Sequence, residues 1–398
     1  MPETDEKGGV EQGGMRNIYA LGLVSFFTDI SSEMVFSILP VFILSLPGSN
    51  PAFLGLIEGV AEALSYALRS VSGFWSDKFR RRKLIILLGY GFSNVVKPFF
   101  AVASTAWDAL AIRVADRVGK GIRTAPRDAL ISESVSSERS GAAFGLHRTL
   151  DQSGAIVGPL LASGLLVFLG YTVRDIFWIS FIPGAIALAL IVFFVKETIP
   201  RAGARFELLR GIRDTLTADY RRLLAVVALF SLGAFNFSFI LLNAQELGVA
   251  ADLIPVVYAL VNVAHTLVAI PAGRLSDRIG KEKVLAGGYA LFLASTALIF
   301  VGPRSLLLAY VVAAVYGLYQ GVVETVQRAM VPNYAKAGLR GTAYGIYYLV
   351  VGVAFFVSNA AVGWLWNGYG SSTAAIYSIA TAGAAVVSMI LFLRDRKA

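Results

Sequence analysis

Six ionisable side chains stand in pairs one helical turn apart within otherwise apolar stretches: Asp29 with Glu33, Glu58 with Glu62, and His147 with Asp151. Residues four apart share one face of a helix, so each pair presents two titratable groups to the same neighbour. Carboxylates in this arrangement can take up and release a proton. Together with an imidazole they also offer the oxygen and nitrogen donors of a metal site. A second cluster is cationic: Arg113, Asp116, Arg117, Lys120, Arg123 and Arg127 lie along one stretch. At about 100° per residue, Arg113, Arg117, Lys120 and Arg127 fall on one helix face. A cation close to a carboxylate changes its hold on a proton. Asp29, Glu33 and Asp151 are therefore read as proton carriers modulated by Arg117, with His147 as a relay beside Asp151.

The elements that must position these groups follow from composition. The 398 residues are 56% hydrophobic and 15% charged, with a mean hydropathy of +0.68. An ordinary soluble domain is about 25% charged, so a soluble enzyme is excluded. Apolar runs of roughly 20 residues recur, each long enough to cross about 30 Å of hydrocarbon. They lie near 16–46, 51–77, 83–105, 107–135, 138–170, 173–196, 221–247, 250–276, 283–302, 304–335, 339–367 and 372–394. The fold class is an all-α membrane protein with twelve transmembrane helices. An arginine in hydrocarbon costs at least about 2.5 kcal/mol, so the cationic face must turn to water, carboxylates or an anionic ligand. No phosphate-binding loop, hydrolase triad or zinc spacing occurs, and no cofactor or resident metal is expected. The absence of cysteine excludes disulfides and thiolate chemistry.

The formal charge of +9 could suggest nucleic acid, but the basic residues cluster in short loops. Lys78, Arg80, Arg81, Arg82 and Lys83 share one loop, Arg274, Arg278, Lys281 and Lys283 another, while the alternate connections 46–51 and 368–373 carry no charge. By the positive-inside rule both termini are cytoplasmic in a multi-pass cell-membrane protein, as is the connection 197–220. Residues 1–15 are expected to be a disordered tail without a cleaved leader. The bundles are then 16–196 and 221–398. Gly73, Ser76, Asp77 and Lys83 recur 200 residues on at Gly273, Ser276, Asp277 and Lys283, as Gly121, Gly141 and Gly145 recur at Gly321, Gly341 and Gly345. Such a repeat predicts two similar six-helix bundles related by a pseudo-two-fold axis along the membrane normal, with a ligand cavity near the midplane.

These motifs give the chain a family resemblance along nearly its whole length. Gly273-Arg-Leu-Ser-Asp277-Arg278-Ile-Gly280-Lys281 resembles the loop signature of the major facilitator superfamily. Its copy begins at Gly73 and Asp77 but has Arg80 where a glycine is usual. Arg117-Val-Gly-Lys120-Gly121 is similar to the superfamily's helix-4 motif, associated with proton coupling. Gly154-Ala-Ile-Val-Gly158-Pro159 resembles the start of its exporter motif, although Ala162 and Ser163 replace a glycine pair. The resemblance implies secondary transport by alternating access, with Gly73, Asp77, Gly273, Asp277 and Arg278 as a cytoplasmic gate.

The second half is mostly neutral where the first is charged. Its candidate substrate residues are Asn236, Asn262, Gln320, Glu324, Tyr344 and Tyr347, joined from the first half by Glu58 and Glu62. Tyr and Asn groups can hydrogen-bond and stack on an organic ligand. The expected function is proton-coupled transport of a small organic molecule by a monomer, with export favoured over uptake. One alternative is a transporter of metal ions or chelates, using the first-half carboxylates and His147. A transport-dead receptor is another.

Overall fold

The computed structural model describes residues 5–79, 81–134, 140–197, 213–302, 304–334 and 340–395. Twelve helical spans occur among them. These are α1 (Asp5–Phe36, continued by Leu39–Ser45), α2 (Pro51–Phe79), α3 (Arg82–Val96, continued by a 3-10 turn Lys97–Val102) and α4 (Ala106–Glu133). Then follow α5 (Ser140–Leu169), α6 (Val173–Ile179 and Phe181–Phe194), α7 (Ala218–Ser231 and Ser238–Glu246) and α8 (Ile254–Ile279). The last are α9 (Lys281–Val301), α10 (Leu306–Tyr334), α11 (Arg340–Tyr369) and α12 (Ser371–Asp395). Each apolar run of the sequence yields one span. The helix of α1 also runs back through residues 5–14, where composition suggests no structure.

Among the described residues, ten stretches are long and apolar enough to cross a membrane by themselves. The exceptions, α4 and α7, have different causes. Charged residues recur along α4, while α7 is split into segments of 14 and 9 residues. Four spans are interrupted, and proline accounts for two of the breaks. Pro40 opens the second segment of α1, and Pro98 opens the 3-10 turn of α3. Proline lacks the N–H that would continue the ladder. Over the break in α7, the Asn236 N–H donates to Asn359 Oδ1 at 2.9 Å and the Ser238 N–H to Asn236 Oδ1 at 2.9 Å. These bonds satisfy backbone groups that the missing turn leaves open.

The chain packs as two compact units. One comprises residues 1–36, 67–103 and 111–204, and the other residues 37–66, 104–110 and 205–398. In the first, α1 lies directly on α5. A Cβ at Gly154 would stand 2.3 Å from the Phe26 carbonyl oxygen, and one at Gly158 would stand 2.8 Å from that of Ile30. Only glycine admits so close an approach. Ile18, Leu21 and Val24 of α1 continue the contact into a core with Ile86, Leu130 and Ile191. In the second unit Phe230 of α7 stacks on Tyr289 of α9 at 3.7 Å, and Tyr66 of α2 stacks on Tyr348 of α11 at 5.7 Å.

Candidate functional site

In the first unit the close approach of α1 and α5 brings two carboxyls together. Asp29 of α1 is in side-chain hydrogen-bond reach of Asp151 of α5, with Glu33 close enough to act on Asp29 electrostatically. The Asp29 Cβ lies 3.1 Å from where a Cβ of Gly154 would be, so this glycine sets the spacing. Asp151 accepts from Arg148 Nη1 at 3.0 Å, one turn back on the same helix. The positive charges of Arg148 and then Arg127 act most strongly on Asp151.

The sequence reading assigns that modulating role to Arg117. Arg117 packs with its guanidinium 4.9 Å from the centroid of the Phe36 ring, and Arg113 stands over the same ring at 4.0 Å. Their charges act on Asp116, together with that of Lys97. Asp116 also accepts from Ser93 Oγ at 2.5 Å. The reason is positional, since Asp116 is the chain neighbour of Arg117. Arg123 stacks over the Tyr90 ring at 4.1 Å. A desolvated guanidinium over a ring face gains about 2 kcal/mol, so these rings are part of what keeps arginine inside the span.

His147 does not stand alone. Its Nε2 lies 2.8 Å from Ser25 Oγ, which also meets Tyr90 OH at 3.5 Å and accepts from Arg127 Nη1 at 3.4 Å. Lys97 is a further functional candidate, and the sequence reading passes over it. It is fully buried at the start of the 3-10 turn, donating to Ser31 Oγ at 2.6 Å and Ser32 Oγ at 3.1 Å. The charges of Asp116, Asp29 and Glu33 act on it. A lone lysine in an apolar run is itself a signal, because an intramembrane charge is retained for a use.

The second unit holds a cavity of about 100 Å³, partly open to solvent. Rings dominate its wall: Tyr66, Phe230, Tyr316, Tyr319, Tyr347 and Tyr348. The candidates Gln320, Glu324 and Tyr347 line it, and Tyr344 stands behind, donating to the Arg328 carbonyl at 2.9 Å. Arg328 Nη2 meets Glu324 Oε2 at 3.1 Å, and Gln320 Nε2 donates to Glu324 Oε1 at 3.3 Å. Gln327 accepts from Tyr347 OH at 2.8 Å and donates to Tyr289 OH at 2.9 Å. The candidates Glu58, Glu62, Asn236 and Asn262 are not in the lining of this cavity. Asn236 instead braces the broken α7. The rings of Phe230, Tyr316 and Tyr319 escaped the sequence reading because hydropathy treats them as ordinary core.

Gly73 and Asp77 fall in the last turns of α2, and the Asp77 side chain lies outside those described. The second copy of the motif lies in the last turns of α8, where the sequence suggests a loop; Asp277 and Arg278 are exposed there, and Gly273 has ordinary space about it, with Thr325 at 3.7 Å from a Cβ placed there. It is Lys281 that reaches α10, donating to the Ala329 carbonyl at 2.9 Å. Most of the connection 197–220 also lies outside the described residues. Among the described residues no group of three or more His, Asp or Glu side chains is placed to hold a metal ion.

Comparison with known proteins places this arrangement. The family model of the Major Facilitator Superfamily matches residues 21–218 and 223–398. The chain is 34% identical over 360 residues to an MFS-type transporter of Methanocaldococcus jannaschii, covering 88% of this chain and 89% of that one. It is 26% identical over 282 residues to the multidrug resistance protein MdtG of Proteus mirabilis, covering 68% and 69%. A mutant of the nucleoside transporter NupG shares the fold with a TM-score of 0.76 at 13% identity, over 95% of this chain and 99% of that one. The peptide transporter POT in complex with sulfate does so with a TM-score of 0.77 at 15% identity, over 95% and 94%. With twelve spans and a family match along both halves, the chain belongs to the Major Facilitator Superfamily, as a multi-pass membrane transporter and not an enzyme.

Proposed function

We propose that this transporter moves a small organic molecule out of the cell in exchange for protons, by alternating access. The observation that carries the reading is the Asp29–Asp151 pair, two carboxyls from different helices within hydrogen-bond reach. Such a pair accommodates one proton between its oxygens, and the charges of Arg148 and Arg127 compete with that proton for Asp151. Moving α1 against α5, or Arg148 away from Asp151, exchanges one partner for the other. That is what coupling a proton to a conformational change requires. Arg117, Glu33 and His147 complete the network, and the aromatic cavity of the second unit takes the substrate. The likeness to a multidrug resistance protein supports export of an organic compound. The gathered metal ligands that the alternative reading needs do not occur among the described residues. The reading sets both termini and the 197–220 connection in the cytoplasm of a monomer, with residues 73–77 and 273–278, in the last turns of α2 and α8, gating that side.

The test is proton flux in proteoliposomes under an imposed pH gradient. Asp29→Asn and Asp151→Asn should each abolish proton-driven transport while the purified protein keeps its size and melting midpoint. Normal transport by both variants, with an unchanged pH profile, would reassign the pair to structure.

A further inference from the structure

We infer that Tyr316 is a positioning residue that ties occupancy of the aromatic cavity to the shape of α7: its ring forms part of the cavity wall, while its hydroxyl holds the break in α7 open. The inference rests on reading the cavity as the substrate site.

The break is not imposed by covalent structure. Pro40 and Pro98 open the segments that follow the breaks in α1 and α3, whereas no proline occurs between Ala218 and Glu246. Side chains from three other helices hold this break instead. Tyr377 OH of α12 donates to the Leu232 carbonyl at 2.7 Å, and Tyr316 OH of α10 donates to the Phe235 carbonyl at 2.6 Å. Asn359 Oδ1 of α11 accepts from the Asn236 N–H at 2.9 Å. In a continuous α-helix a carbonyl accepts from the N–H four residues on. Leu232 and Asn236 are such a pair, so Tyr377 and Asn359 occupy two groups that an unbroken α7 would bond to each other. The helical partner of the Phe235 carbonyl is the Phe239 N–H, which here donates to the Asn236 carbonyl at 3.1 Å. Closing the turn would therefore pair these backbone groups within α7, and the segment has two arrangements in which they are satisfied.

Of the three clamps, Tyr316 alone lines the cavity, beside Ser231 and Ala234 from the edges of the break itself. It is buried, with its ring stacked on Phe235 at 6.1 Å and edge-on to Tyr319 at 5.1 Å. A ring packed this closely cannot yield to an occupant without carrying its hydroxyl along, and a bond of 2.6 Å weakens steeply as it is stretched or tilted. An occupant that displaces the ring thus favours the closed turn. By linkage, closing the turn favours the occupied cavity.

The experiment is a spin-label distance measurement on the full-length protein in detergent. The chain has no native cysteine, so Arg222→Cys and Gln245→Cys, both at exposed positions, put one label on each segment of α7. A continuous helix sets these positions about 35 Å apart at 1.5 Å per residue. Two further substitutions complete a cycle: Tyr316→Phe keeps the ring and removes the hydroxyl, and Val351→Trp fills the cavity from its α11 wall. Each alone should raise the share of a population near that distance about fivefold, the worth of one neutral hydrogen bond. Combined, they should do no more than the larger single effect, because the occupant acts through the hydroxyl. Unchanged distances in either single variant overturn the inference, as does a double variant in which the two effects multiply. Broadening with no defined second population also overturns it, since that reports general loosening and not a second arrangement. No transport is measured, so the result does not depend on what the cavity carries. Proton flux unaffected by Val351→Trp would count against the cavity as the substrate site and leave the clamp standing.

Discussion

Where α4 carries Arg113, Asp116, Arg117, Lys120, Arg123 and Arg127, the repeat from Gly73 to Gly273 places Ala313, Tyr316, Gly317, Gln320, Val323 and Gln327 on α10. The same positions in two copies of one helix hold charge in the first unit and neutral or aromatic groups in the second. In the first, guanidinium groups are held by rings, and carboxyls by serine hydroxyls and cations. In the second, tyrosine hydroxyls donate to backbone carbonyls and amides, and the charge of the cavity wall is a single pair. One frame thus accommodates a network whose energy depends on protonation and another whose energy depends on shape. In the proposed mechanism the first responds to a proton and the second recognises a molecule.

Three substitutions probe that contrast, from the largest effect to the smallest. Lys97→Ala removes a buried cation from among Asp116, Asp29 and Glu33, and breaking one side of such a cluster costs about 3–5 kcal/mol. A fall in the melting midpoint well beyond that of any neutral substitution in the second unit is expected, and an unchanged midpoint would show that Lys97 is dispensable to the charge balance. Tyr289→Phe leaves the Gln327 amide without its buried acceptor, at about 1–3 kcal/mol. It should lower the midpoint with no change in the pH dependence of transport, and a shifted pH profile would erase the division between the two regions. Asp277→Asn lies at an exposed position in the last turn of α8 and should leave the midpoint alone. Its expected effect is a lower maximal transport rate at unchanged affinity, and the reverse pattern would remove that turn from the gate.

The spans were legible because apolar length is written directly in sequence: Pro51–Phe79 and Ser371–Asp395 differ from their apolar runs by no more than two residues at either end. The breaks in α6 and α7 were not legible, because hydropathy averages over backbone conformation and the segments on both sides are apolar. Within the site, helical periodicity correctly puts His147 and Asp151 on one face of α5. It cannot say which cation meets Asp151, since that depends on side-chain reach. Arg148, one turn before Asp151 on α5 itself, is a cation that reaches it. The Asp29–Asp151 approach depends on Gly154, whose meaning as a spacing element emerges only when α1 lies against it. Lys97 was legible in principle, as a lone charge followed by Pro98 in an apolar run.

Phe36 has a consequence for how this protein tolerates change. One ring at the end of the first segment of α1 carries two guanidinium groups, Arg113 at 4.0 Å and Arg117 at 4.9 Å. The two arginines are therefore not independent positions, because loss of either alters the setting of the other through a shared platform. Loss of the ring withdraws support from both at once. Substitutions at 36, 113 and 117 should therefore be non-additive, each altering the cost of the others.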